Sequence, residues 1–103
     1  MECSLLRSVA GSNMNFLRIW GGGVYPQDAF FDCADQHGIL LQQDGMFSGP
    51  VNPVTPAVLG LLAQELQYQA RRLASHPSLF LWSGSNEEYP PLSLHLLCRN
   101  ITR

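Results

Sequence analysis

The sequence predicts an α/β chain in which parallel strands alternate with helices. Three observations lead there. Three short apolar runs read as strands: Phe16 to Trp20, Ile39 to Gln43 and Leu79 to Trp82. The segments between them carry apolar residues at three- and four-residue steps, the spacing of a helix packed on one side. Pro, Gly and Ser punctuate the junctions, so each periodic segment has a beginning and an end.

Taken in order, Ser4 to Ser12 reads as a short helix with Leu5, Leu6 and Val9 on one face. Phe16 to Trp20 is the first strand, and it stops at Gly21-Gly22-Gly23. Pro26 to His37 reads as a helix: Pro suits a first turn, Phe30, Phe31 and Ala34 form an apolar face, and Gly38 can stop it. Ile39 to Gln43 is the second strand. Asp44 to Val54 is a loop rich in Gly, Pro, Ser and Asn. Thr55 reads as an N-cap, with Pro56 at the first helical position. That helix runs to about Ala74, with Val58, Leu59, Leu62, Leu66, Ala70 and Leu73 as its packed stripe. Ser75-His76-Pro77 breaks it before the third strand, Leu79 to Trp82.

Strands separated by helices pair in parallel through right-handed crossovers. Parallel strands are normally covered on both faces, which accounts for their continuous apolar runs. Three strands and three helices cannot close a barrel, since a (β/α)₈ TIM barrel takes about 250 residues. The expected architecture is therefore a partial barrel of about three parallel strands with three helices. The 103 residues divide into a barrel slice, 1–88, and a tail, 89–103.

Composition excludes several function classes. The formal charge is −2, and all six basic residues are Arg, scattered apart from Arg71-Arg72. No basic patch for nucleic acid is formed. No apolar stretch is long enough to span a bilayer, and no basic region followed by an apolar segment marks a signal peptide. Cys3, Cys33 and Cys98 show no metal-ligand spacing and read as buried or idle thiols. His37, His76 and His95 form no ligand cluster along the chain, so no metal or cofactor is expected. Gly21 to Gly23 is not a dinucleotide fingerprint, because Pro26 stands where a Gly is needed. No Lys is present to complete a phosphate-binding loop.

The chemistry is expected where strands end and loops begin. The third strand runs into Ser83-Gly84-Ser85-Asn86-Glu87. Gly84 and Ser85 permit a tight turn, Asn86 supplies an amide for a sugar hydroxyl, and Glu87 supplies a carboxyl. Trp82 offers apolar surface for a ring. On the first strand, Arg18 and Trp20 share a face. An Arg directed into a barrel interior needs a carboxylate partner. Asp44, at the end of the second strand beside Gln43, is a candidate partner, or else a loop cap. Glu88 reads as exposed. Ser83 and Ser85 are not set in a nucleophile elbow.

These residues resemble the catalytic barrel of glycoside hydrolase family two and, within it, the β-mannosidases. Asn13 to Tyr25 resembles the segment carrying that family's second barrel strand. Phe30 to Ile39 resembles the next helix and its exit. Arg72 to Ser78, followed by Trp82 to Glu87, resembles the approach to the fourth strand. The likeness covers residues 4 to 88. It implies Glu87 as general acid/base and Asn86 as ligand of the hydroxyl beside the anomeric carbon. It also implies that Trp20 lines the sugar pocket and that Arg18 supports the carboxylates, with Asp44 in the same substrate-binding set. The implied parent activity is release of terminal β-D-mannose from oligosaccharides or glycoproteins with retention of configuration.

A retaining enzyme needs a second carboxylate about 5 Å from the acid. In the family it comes from a later strand that this chain does not contain, so the isolated chain is expected to be inactive without the remainder of the barrel. Gln42 stands where the family tends to have Trp, and Gly45 where it tends to have an aromatic residue; both changes thin the aromatic wall expected around the sugar. Residues 89–103 depart from the family, and Asn100-Ile101-Thr102 is a glycosylation sequon. The alternatives are a catalytically inactive truncated product, or a β-galactosidase, β-glucuronidase or exo-glucosaminidase of the same family. Lysosomal residence is implied only for an animal β-mannosidase.

Overall fold

A computed structural model describes residues 2–49 and 55–87. Expectations for Glu88, the 89–103 tail with its sequon, His95, Cys98 and the loop residues 50–54 lie outside the described residues. The element order is α1 (Glu2–Gly11), β1 (Phe16–Ile19), α2 (Asp28–His37), β2 (Leu40–Asp44), α3 (Pro56–Leu73) and β3 (Leu79–Ser83). The strands form one parallel sheet in the order β1-β2-β3. The alternation read from the sequence is therefore the observed architecture: a slice of α/β structure in which, among the described residues, β1 and β3 are the sheet edges.

Local chemistry sets most boundaries. Gly38 takes φ 65°, a left-handed conformation that costs glycine little, and closes α2. The Ile39 N–H then donates to the Ala34 carbonyl at 3.0 Å. Thr55 caps α3, its Oγ1 accepting from the Val58 N–H at 3.3 Å, with Pro56 just inside. The start of α2 differs from expectation. Gln27 is the N-cap and Pro26 precedes the helix, its carbonyl accepting from Arg72 Nη2 at 3.0 Å. Pro fixes φ equally well in an approach turn, so sequence alone does not separate the two placements.

One core lies between the sheet and the helices. Leu6 and Val9 come from α1; Phe30, Phe31, Cys33 and Ala34 from α2; Ile39 precedes β2, Leu41 lies on it, and Leu73 ends α3. Leu17, Ile19, Leu79 and Trp82 pack against them. Leu5 is exposed, contrary to the expected face, because Cys3, Leu6, Val9 and Ala10 define the buried stripe and Leu5 sits a hundred degrees round from Leu6. In α3 only Leu66, Gln69 and Leu73 are buried, while Val58, Leu59, Leu62 and Ala70 are half-buried.

The C-terminal turns of α3 are also tied by polar contacts. Glu65, Gln69, Arg72 and Asp28 form a hydrogen-bonded chain, and the Arg72 guanidinium lies 5.7 Å over the Phe31 ring. The opposite face of the sheet is open. Phe16 and Phe80 meet edge-to-face at 6.5 Å, and Phe16, Leu40, Phe80 and Leu81 remain exposed. Burial on both faces, expected for parallel strands, is thus met on one face only within the described residues.

The cysteines do not behave as idle thiols: Cys3 and Cys33 form a disulfide between α1 and α2. Their separation of 30 residues carries no local pattern; the packing of α1 on α2 brings them together. Two histidines also gain neighbours that the linear spacing hides. His37 lies beside Cys33 and Cys3, and His76 beside Asp35 and Asp32. The first pair of sulfurs is spent in the disulfide. Asp35 accepts from the Ser78 N–H at 2.8 Å and pairs with His76 Nδ1 at 2.7 Å, fastening the entry to β3 onto α2. Burial raises the Asp35 pKa, but the bonds from Ser78 and His76 outweigh it and leave the carboxyl below its ordinary value. No helix among the described residues is long and apolar enough to cross a membrane.

Candidate active site

The C-terminal ends of the three strands converge on one network. Arg18 sits next to last on β1, directly opposite Gln42 on β2, on the sheet face away from the helices. Asp44 ends β2 two residues further along that face. Arg18 Nε donates to both Asp44 oxygens at 3.1 Å, and Nη2 donates to Oδ2 at 2.7 Å. The Gly21 N–H adds a bond to Oδ2 at 3.2 Å. Asp44 is fully buried, so its charge is matched where it stands. Of the two readings open to Asp44, charge partner or loop cap, the geometry shows the charge pair, and the Gly21 N–H gives the same carboxylate a capping contact as well.

The network extends to the third strand. Arg18 Nη2 also donates to Asn86 Oδ1 at 2.9 Å. Glu87 follows Asn86 and is exposed. The Asp44 hydrogen bonds, then the Asp44 charge, raise the Arg18 pKa above its already high ordinary value; partial burial opposes this and Glu87 adds to it. Arg18 is therefore cationic at every accessible pH, a fixed charge beside Asn86 and Glu87.

Three glycines make the approach of these loops possible. A Cβ on Gly21 would lie 2.6 Å from the Gly45 carbonyl oxygen and 2.8 Å from that of Phe47. A Cβ on Gly45 would lie 2.5 Å from the Gly84 carbonyl oxygen and 3.1 Å from the Phe47 ring. Each loop leaving a strand thus rests against the backbone of the next. The Gly45 N–H donates to Ser83 O at 2.8 Å, and the Asn86 N–H to Phe47 O at 2.9 Å. The missing side chain at Gly45 leaves no hole: backbone oxygen and the Phe47 ring occupy that space. At Gly22 the Trp20 indole covers the backbone, which a side chain there would obstruct.

Trp20 follows β1 and is 53% exposed, with Gly22 against its indole. Trp82 packs on the helix-side core, opposite Gln43, so it is not the ring platform expected from its position. A register irregularity between Leu41 and Gln42 places Leu79 and Leu81 opposite successive residues of β2 and shifts the alternation on β3. Gln43 is likewise fully buried rather than at the mouth, with Nε2 donating to the Asp44 carbonyl at 2.8 Å. Gln42, where an aromatic was expected to be missed, joins β2 to β3 through Ser83 Oγ at 2.7 Å.

The site also contains residues that the sequence did not single out. Ser48 pairs with Asn86 in an isolated parallel bridge, and the Asn86 Nδ2 donates to its Oγ at 3.3 Å. The Met46 N–H donates to the Tyr25 hydroxyl at 3.2 Å. For Ser48 the only signal was its position in a loop after a strand end.

No protein-family model matches the chain. Individual proteins do. The β-mannosidase of Mus musculus is 47% identical over 91 residues, covering 88% of this chain and 10% of that protein. The β-mannosidase of Rattus norvegicus is 49% identical over 83 residues, 81% of this chain and 9% of the relative. β-Mannosidase B of Thermothelomyces thermophilus is 43% identical over 84 residues. Among solved structures, a β-D-mannosidase from Dictyoglomus thermophilum superimposes with a TM-score of 0.76 at 27% identity, covering 97% of this chain and 15% of that one. The chain therefore spans about a tenth of the length of the curated relatives it matches.

Proposed function

This chain is homologous to one segment of the β-mannosidases, and from that premise we propose that it forms the acid/base segment of a retaining glycoside hydrolase acting on terminal β-D-mannose. The observation that carries the reading is the network uniting all three strand ends: Asp44, Arg18 and Asn86, with Glu87 next in sequence. A buried carboxylate, a permanent cation and an amide held in line form a preorganised polar floor. Such a floor suits a sugar whose hydroxyls need fixed donors and acceptors.

In this reading Glu87 is the general acid/base. It gives a proton to the departing glycosidic oxygen and later takes one from the attacking water. Asn86 binds the hydroxyl beside the anomeric carbon, and Trp20 supplies apolar surface to the ring. Asp44 acts through Arg18, since its own oxygens are occupied. The nucleophilic carboxylate would come from a strand that the described residues do not include. Carbohydrate is the partner this chemistry calls for, and the rest of a barrel is the structure that would complete it.

The purified 103-residue chain is expected to give no turnover of an aryl β-mannoside; measurable hydrolysis would refute the incomplete-site reading. In a parent-length protein containing this segment, Glu87→Gln is expected to slow release of poor leaving groups by roughly 10²–10⁴-fold while sparing activated ones. Equal loss across all leaving groups would remove Glu87 from the acid role.

A further inference from the structure

The Asn86 side chain carries one acceptor oxygen and two N–H donors. Arg18 can only donate, so the Asn86 atom 2.9 Å from its Nη2 must be the oxygen. That choice turns Nδ2 to the other side, 3.3 Å from Ser48 Oγ. The backbone sets this separation independently of side-chain reach, because Ser48 and Asn86 are bridge partners and the Asn86 N–H is held by the Phe47 carbonyl at 2.9 Å. Ser48 is half-buried, which limits competition from water.

One Nδ2 hydrogen is thus spent on Ser48. The other has no partner among the described residues. We propose that Ser48 is a positioning residue: its hydroxyl locks the Asn86 amide between Arg18 and Ser48, leaving a single oriented N–H to be offered to a sugar hydroxyl oxygen. The inference rests on the glycoside reading for its purpose and assigns Asn86 the donor part in that contact. Without Ser48 the amide is anchored at its oxygen alone, and its nitrogen end is free to swing.

The test uses the full chain labelled with ¹⁵N. The Asn86 side-chain signals are identified by their loss in Asn86→Asp. Their order parameter is expected at roughly 0.8 in the wild type, falling below about 0.6 in Ser48→Ala, and recovering in Ser48→Thr, which keeps the hydroxyl. The Arg18 Nε–H signal, anchored by Asp44, is expected to stay in place throughout. An unchanged Asn86 order parameter in Ser48→Ala overturns the proposal, as does failure of Thr to restore it. Phe80→Lys provides a second background if association broadens the spectrum; absence of an ordered Asn86 pair in both backgrounds also overturns it. No sugar enters the measurement, so it can fail while the glycoside reading stands, and the reverse.

Discussion

Replacing Gly45 by Ala is expected to unseat the loop that carries Asn86 and Glu87. The new methyl carbon would sit 2.5 Å from the Gly84 carbonyl oxygen and 3.1 Å from two atoms of the Phe47 ring. Ordinary contact needs about 3.5 Å, so the loops must part by roughly 1 Å. The obstacle is backbone, not a flexible side-chain tip, and the hydrogen bonds from Gly45 to Ser83 and from Asn86 to Phe47 resist its movement. Overpacking of this kind costs about 1–3 kcal/mol. In a domain of this size that lowers the melting temperature by roughly 5–20 °C.

Gly60→Ala is the internal control for that experiment. It lies inside α3 with nothing within 4 Å of the added carbon. A helix interior favours Ala over Gly by about 0.5–1 kcal/mol, so this variant is expected to melt higher. Thermal melts followed by circular dichroism at low micromolar concentration read both. A Gly45→Ala chain that melts with the wild type would refute the loop-stacking argument, and with it the steric reason for glycine at that position.

Reduction of the Cys3–Cys33 disulfide, which closes a separation of 30 residues, is expected to lower stability by about 3–4 kcal/mol on chain-entropy grounds; urea titrations with and without reductant check this, and coincident curves would contradict it. Asp35 is held below its ordinary pKa, so the unfolded chain binds more protons between the folded and unfolded values. Its stabilising contribution is present at neutral pH and is lost as pH falls below about 4 through the folded value. Asp35→Asn is expected to flatten that acid limb in pH-dependent melts, and an unaltered limb would assign it to other groups. The open sheet face, with Phe80 65% exposed, and the two strand edges are expected to drive concentration-dependent association. Light scattering should show it reduced by Phe80→Lys, whereas a monodisperse wild-type monomer would count against a face built to be covered.

What could be read in the sequence was what local chemistry decides. Gly38 ends a helix because only a residue tolerant of positive φ fits there, and Thr55-Pro56 starts one through a cap and a fixed φ. The Arg18–Asp44 pair was legible as one of two options for Asp44, and for an electrostatic reason: an Arg directed inward from an apolar strand needs a carboxylate. Three things were not legible. The side on which Trp82 falls depends on a register shift in β2–β3 pairing, which leaves no mark in the composition. The Cys3–Cys33 and Asp35–His76 contacts depend on how α1 packs on α2 and where β3 enters the sheet. Ser48 joins the site only because pairing continues beyond the ends of the strands as an isolated bridge.

The described residues contain two non-glycine positions at positive φ, Asn13 at 59° and Glu87 at 49°. They are not equivalent. Asn visits the left-handed region readily, and at residue 13 it serves a turn between α1 and β1, its N–H bonded to the Ala10 carbonyl at 3.1 Å. Glu gains nothing from that conformation, which costs an L-residue of its kind about 1–2 kcal/mol. Local stability would favour Asn or Gly at 87, so the presence of Glu there is a conflict between residue type and backbone. Such conflicts concentrate where a side chain is kept for its chemistry. Glu87→Asn is therefore expected to stabilise the chain by roughly 0.5–1 kcal/mol, within the range of stabilising substitutions found at strained functional positions. Asn13→Ala, which forces an unsuitable residue into the same region, is expected to destabilise by a similar amount. Denaturant midpoints of the two variants decide the matter: if Glu87→Asn is the less stable protein, the strain is absent and the backbone gives no reason to set Glu87 apart from any other loop carboxylate.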